Sequence, residues 1–150
     1  YFGSKEAIFR DLVRDLSDGV RMAAAQRLAE RDMDALDTER AALAAFLAFA
    51  REHKEIYRII DEAEFVAPES YRAHYEEAAD RILGRLQAGA QAGELRDDLQ
   101  EAHAWAIMGM NVFLGLRYAV WAQEDDAPDE AERAAQAANS ILVEGIGRKR

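Results

Sequence analysis

Apolar residues recur at three- and four-residue spacing along nearly all of this 150-residue chain. No segment alternates in the two-residue rhythm of a half-buried strand, and no run is rich in Val, Ile and Thr. With only two prolines, little interrupts that helical pattern, which predicts an all-α fold. A single domain of this length buries roughly 70% of its unfolded surface, so it needs no metal or disulfide to hold it. Half of the residues are hydrophobic, which favours a packed globule over disorder. There is no cysteine, and this excludes disulfides, thiolate catalysis and cysteine-based metal sites.

The apolar stripes and the breaks between them predict about six helices. The first is expected over Ser4–Glu30, with Ile8, Phe9, Leu12, Val13, Leu16 and Val20 buried and Gly19 a point of loosening. Charged residues from Arg31 to Asp37 form a connection. Thr38 is placed to cap a second helix whose apolar face is Leu43, Phe46, Leu47, Phe49 and Ala50. The stripe shifts at His53-Lys54-Glu55, and a short helix carries Ile56, Tyr57, Ile59 and Ile60. Pro68 disfavours a helical Ala67 and fits the first turn of a further helix. That helix buries Tyr71, Tyr75, Ala78, Ala79, Ile82, Leu83 and Leu86, and Gly93 can cap its end. Asp98 and Glu101, three residues apart, resemble a capping box for a long apolar helix. Ala127-Pro128-Asp129 opens the last one.

The longest apolar run, Ala104 to Ala122, raises the question of a membrane span. Asn111 and Arg117 lie inside it, and a central arginine costs about 2.5–3.5 kcal/mol in a bilayer. A buried helix of a bundle is the better reading. This helix is apolar nearly all round, so it needs partners on two sides. The last helix presents Ala131, Ala134, Ala135, Ala138, Ile141, Leu142, Gly145 and Ile146 on one face, where small side chains admit a close neighbour. Together the two helices predict a homodimer through a twofold four-helix bundle, an isologous contact.

Catalytic signals are weak, and the chain is not expected to be an enzyme. None of His53, His74 and His103 belongs to a Glu-x-x-His or His-Glu-x-x-His metal motif, so no metal and no cofactor is expected, and each histidine reads as a surface or boundary residue. Asp61, Glu62 and Glu64 form an acidic cluster, which on a charged helix end is usually solvated. There is no phosphate-binding glycine loop and no Gly-x-Ser-x-Gly elbow. An apolar pocket with a few polar groups fits better. Its candidate lining is Phe46, Phe49, Tyr57, Ile60, Phe65, Tyr71 and Tyr75 from the middle helices, with Trp105, Met108, Asn111, Arg117 and Tyr118 from the long apolar helix. Asn111 and Arg117 are polar groups that must find partners or cost stability. Asn111, with space left beside it by Gly115, is expected to contact a ligand. Arg117 is expected either to bind a ligand carboxylate or phosphate, or to pair across a dimer.

The N-terminal residues Tyr1-Phe2-Gly3-Ser4-Lys5, followed by Glu6-Ala7-Ile8-Phe9, carry a more specific signal. Gly3 can end one helix in a φ > 0 conformation, Ser4 can cap the next, and Glu6 suits the positive end of its dipole. This resembles the junction between the DNA-binding head and the ligand-binding body of the tetracycline-repressor (TetR) family. The resemblance implies that residues 1–5 are a remnant of a helix-turn-helix head and residues 6–150 the ligand-binding and dimerising body. It further implies a cytoplasmic transcriptional regulator, expected to be a repressor, whose last two long helices dimerise. Segments such as Tyr57–Ile60 and Phe113–Tyr118 are similar to regulators that sense acyl-coenzyme A, fatty acids or aromatic acids. The net charge of −10 makes the body a poor phosphate binder. DNA contacts are therefore expected mainly upstream of Tyr1, with Tyr1 and Lys5 nearest to them and Arg10 and Arg14 able to add a few. No basic cluster for a coenzyme A phosphate is evident. A stand-alone helical ligand-binding or dimerisation module, or a helical enzyme without a DNA role, is the alternative.

Overall fold

The computed structural model describes residues 2–29, 32–126 and 129–148. They form six α-helices: α1 (Phe2–Leu28), α2 (Ala35–Glu52), α3 (Glu55–Val66), α4 (Pro68–Gln91), α5 (Glu101–Gly115) and α6 (Glu130–Ile146). A π-helical turn, Leu116–Val120, continues α5. No strand occurs among the described residues; Leu95 and Gly147 form one isolated antiparallel bridge. None of the described helices is long and apolar enough to cross a membrane.

The helix boundaries follow local chemistry. Asp34, rather than Thr38, caps α2: its carboxylate accepts from the Asp37 N–H at 2.8 Å, worth about 1 kcal/mol. Thr38 lies within the helix and donates to the Asp34 carbonyl at 2.7 Å. The carboxylate of Glu94, beyond the end of α4, accepts from the Ala35 N–H at 2.6 Å. Pro68 opens α4 at its first turn. Gly93 closes it with φ +77°, a left-handed conformation that glycine adopts without Cβ strain. At α5 the expected Asp98–Glu101 box gives way to Gln100 and His103: the Gln100 N–H donates to His103 Nδ1 at 2.9 Å. Asp98 instead pairs with Arg96 at 2.9 Å. Of the expected start of α6, Ala127 and Pro128 lie outside the described residues, as do Glu30, the expected end of the first helix, and Arg31, the expected start of the connection.

The expected break at Gly3-Ser4 is absent. Both residues lie inside α1, and Gly93 is the only described glycine with positive φ. Glycine permits a turn without demanding one. Its cost in a helix is about 1 kcal/mol relative to alanine, which a helix of this length carries. Further along α1, Val13 is buried, but Ile8 is 58% exposed and Leu12 also faces outward, so the buried stripe is narrower than expected.

Three clusters make the core. Val13, Ala50, Ile56, Ile60, Ala63 and Ala119 join α1, α2, α3 and the π-turn. Ile82, Leu86, Leu95, Ile107, Leu142 and Ile146 join α4, α5 and α6. Leu43, Ala44 and Leu47 of α2 meet Ala134, Ala135 and Ala138 of α6. The last contact corrects the expected dimer face. The small residues of α6 do admit a close neighbour, but it is α2 of the same chain. Ala134, Ala135, Ala138, Leu142 and Ile146 are buried in this core, with Ala131 packed beside them, while Ile141 (64% exposed) and Gly145 remain outside.

Candidate functional site

Helices α1 to α5 surround a cavity of about 110 Å³. One wall is apolar: Phe46 comes from α2, Ile56, Tyr57 and Ile60 from α3, and Met108 and Val112 from α5. The other is built by α1 and α4. Val20, Arg21 and Ala24 come from α1, and His74, Tyr75, Ala78, Arg81, Ile82 and Arg85 from α4. The α4 residues recur at three- and four-residue steps and so share one helix face. Asn111 of α5 joins the lining and makes no side-chain hydrogen bond among the described residues.

Close helix contacts fix the apolar wall. Tyr57 donates its hydroxyl proton to the Val112 carbonyl at 2.5 Å. Gly115 makes room for this: a Cβ there would collide with the Tyr57 hydroxyl and come within 2.8 Å of Phe46. The space expected beside Asn111 is therefore filled by these two rings. Burial first, then the neighbouring Tyr75 and Asp61, raises the Tyr57 pKa, and the Tyr75 hydroxyl is pushed up to about 12, also mainly by burial. Both phenols stay protonated donors across the physiological range.

The polar wall is organised by paired and unpaired groups. Glu39 of α2, its side chain only 4% exposed, takes two hydrogen bonds from Arg85, at 2.6 and 3.0 Å. This fork-to-fork pair neutralises a carboxylate that would otherwise be costly to bury. Ser17 Oγ lies 2.5 Å from His74 Nδ1, tying α1 to α4. Burial, with the charge of Arg81 as a smaller cause, lowers the His74 pKa to about 4. An imidazole this weakly basic is a poor general base at neutral pH, and no carboxylate bonds it among the described residues. The Ser17–His74 pair therefore acts as a link between helices. Burial, then the charges of Arg85 and Arg21, also pushes the Arg81 pKa down, against Glu77 and Asp18.

Six of the expected lining residues meet at this cavity: Phe46, Tyr57, Ile60, Tyr75, Met108 and Asn111. The other six lie elsewhere. Phe49 packs on α1, where a Cβ at Gly19 would come within 2.6 Å of its ring, so Gly19 marks a close contact rather than a loosened turn. Phe65 is 83% exposed; it sits about 140° round α3 from Ile60 by the helix period. Tyr71 and Trp105 border a second surface depression with Arg72, Glu76, Asp80 and Glu101, which shares Tyr75 with the cavity. Arg117 is exposed in the π-turn, its guanidinium 5.0 Å above the Tyr118 ring, where it stays hydrated while gaining a cation–π contact. Tyr118 packs against the α2–α6 cluster. Of the DNA-proximal pair, Lys5 is exposed near the start of α1 and Tyr1 lies outside the described residues.

Sequence reasoning missed Arg21, His74, Arg81, Arg85 and Glu39. Arg81 and Arg85, four residues apart beside the Ala78–Ile82 stripe, carried a signal, but charged residues at that spacing usually mark a solvated face. Among the described residues no group of three or more His, Asp or Glu side chains converges as metal ligands. No family model matches the chain, and no curated protein matches it.

Proposed function

We propose that this chain is the effector-binding and dimerising body of a TetR-family transcriptional regulator, a repressor acting in the cytoplasm through a helix-turn-helix head upstream of Tyr1. The observation that supports this reading is the double role of α1. Its second half contributes Val20, Arg21 and Ala24 to the cavity, and its other end carries Phe2-Gly3-Ser4-Lys5, which resembles the family's head-to-body junction in sequence, although the helix runs through it unbroken. An effector that fills the cavity contacts the helix leading to the head. It shifts the equilibrium only if it binds one placement of α1 more tightly than the other. In a twofold dimer the heads must fit successive major grooves, about 34–36 Å apart for adjacent turns, so a displaced α1 releases DNA.

The coding sequence upstream of Tyr1 tests this. A basic three-helix segment ending at Tyr1-Phe2, and DNA binding by the extended chain at physiological salt, are the expected results. An upstream sequence without such helices, or an extended chain that leaves its own promoter DNA unbound, defeats the reading. A stand-alone helical ligand-binding module would then account for the cavity.

A further inference from the structure

Three arginines line the cavity, and they are not equally paired. Arg85 is matched by Glu39, through bonds of 2.6 and 3.0 Å. Arg21 lies 3.6 Å from Asp18 on its own helix. Arg81 faces the same space and makes no ion pair and no side-chain hydrogen bond among the described residues. Asp18 and Glu77 favour its charge but lie beyond ion-pair distance. The Arg81 guanidinium is half-buried at the cavity wall, and its planar fork matches a carboxylate with two parallel bonds. Asn111, also without a side-chain partner, offers a second polar group on the opposite helix.

Size narrows the occupant. The cavity's volume of about 110 Å³ is below the about 150 Å³ of a cavity that admits benzene, so it encloses no more than a small ring or short branched chain, with a polar group reaching the Arg81 wall. A coenzyme A thioester is several times larger. We infer that the cavity binds a compact monocarboxylic acid, its carboxylate on Arg81 and its aromatic or branched body against Phe46, Tyr57 and Met108. This names the effector class of the regulator proposed above and rests on that reading for its consequence at DNA, whereas binding itself is a property of this chain.

Calorimetric titration of the 150-residue chain with 3-phenylpropanoate, octanoate and the neutral 3-phenylpropanamide tests the inference. The acid of the matched pair is expected to bind at least about tenfold more tightly than its amide. Arg81→Gln should abolish that preference, weakening the acid by about tenfold and the amide by less than about threefold. Arg81→Lys, which keeps the charge and loses the fork, should fall between. Circular dichroism reports whether each variant is folded, and the acid–amide comparison on the unaltered chain decides the matter even if Arg81→Gln is not. Equal affinity for acid and amide, no binding of either acid at millimolar concentration, or a folded Arg81→Gln with unchanged acid affinity overturns the inference. DNA plays no part in these measurements, so a regulator that ignores acids and an acid binder that ignores DNA are distinguishable.

Discussion

His74 shows how a residue with an ordinary sequence context acquires a measurable role. It is neutral when folded because burial pushes its pKa to about 4, whereas in the unfolded chain it titrates near 6.5. Between these values the unfolded state takes up a proton that the folded state refuses. The stability linked to His74 is therefore complete above about pH 6.5 and is lost as the pH falls towards 4, by at most about 3 kcal/mol. Replacing His74 with Gln should flatten the difference in stability between pH 6.5 and 4, read by urea denaturation at each pH; an unaltered slope would rule out this role. Nothing around His74 in the sequence announced it, because the Ser17 that meets it lies 57 residues away in the chain.

At the scale of the element, α5 shows where periodicity succeeds and where it stops. Its apolar run was legible, and so were Met108 and Asn111 as cavity-facing positions. The π-turn after Gly115 was not, since nothing in Leu116–Val120 departs from helix-forming composition. Gly115 holds this region together by being small. Substituting Ala gains about 1 kcal/mol of helix propensity, but the collision with Tyr57 and Phe46 costs about 1–3 kcal/mol by overpacking. Gly115→Ala should therefore lower stability in chemical denaturation, and a variant of equal or greater stability would contradict the packing described. The same contrast explains the half-legible site. Aromatic residues at helical spacing point inward wherever the core lies, so Phe46, Tyr57 and Tyr75 could be read. Arg21, Arg81 and Arg85 could not, because a charged residue at a stripe's edge faces water or a cavity according to helices elsewhere in the sequence.

For the whole molecule, the all-helical class was legible, and so were both ends of α4 at Pro68 and Gly93, whereas the caps expected at Ser4, Thr38 and Asp98 fell elsewhere or were absent. The partner of each helix was not. Small residues on α6 say that something approaches closely, and only the tertiary fold says that it is α2. Outside the core, large apolar groups stay exposed: Phe113 of α5 at 72%, Ile141 of α6, and Trp121 after the π-turn. Large exposed apolar groups can mark association sites, and the proposed dimer would use them. Sedimentation velocity should give a dimer at micromolar concentration and a monomer for Ile141→Asp. A monomeric unaltered chain would remove the dimer from the proposal while leaving the cavity and its ligand untouched.

The length of α1 also sets a mechanical gain. Arg21 at the cavity and Lys5 near the helix start are sixteen residues apart, or about 24 Å along a rigid helix. Rotating that arm by about 5° about Arg21 carries Lys5 roughly 2 Å sideways, and two arms related by a twofold axis change their separation by up to roughly 4 Å. A change of shape no larger than one side chain settling into the cavity is thus amplified by leverage, while Val13, about 12 Å along the arm from Arg21, moves only roughly 1 Å in the core that it shares with α2 and α3.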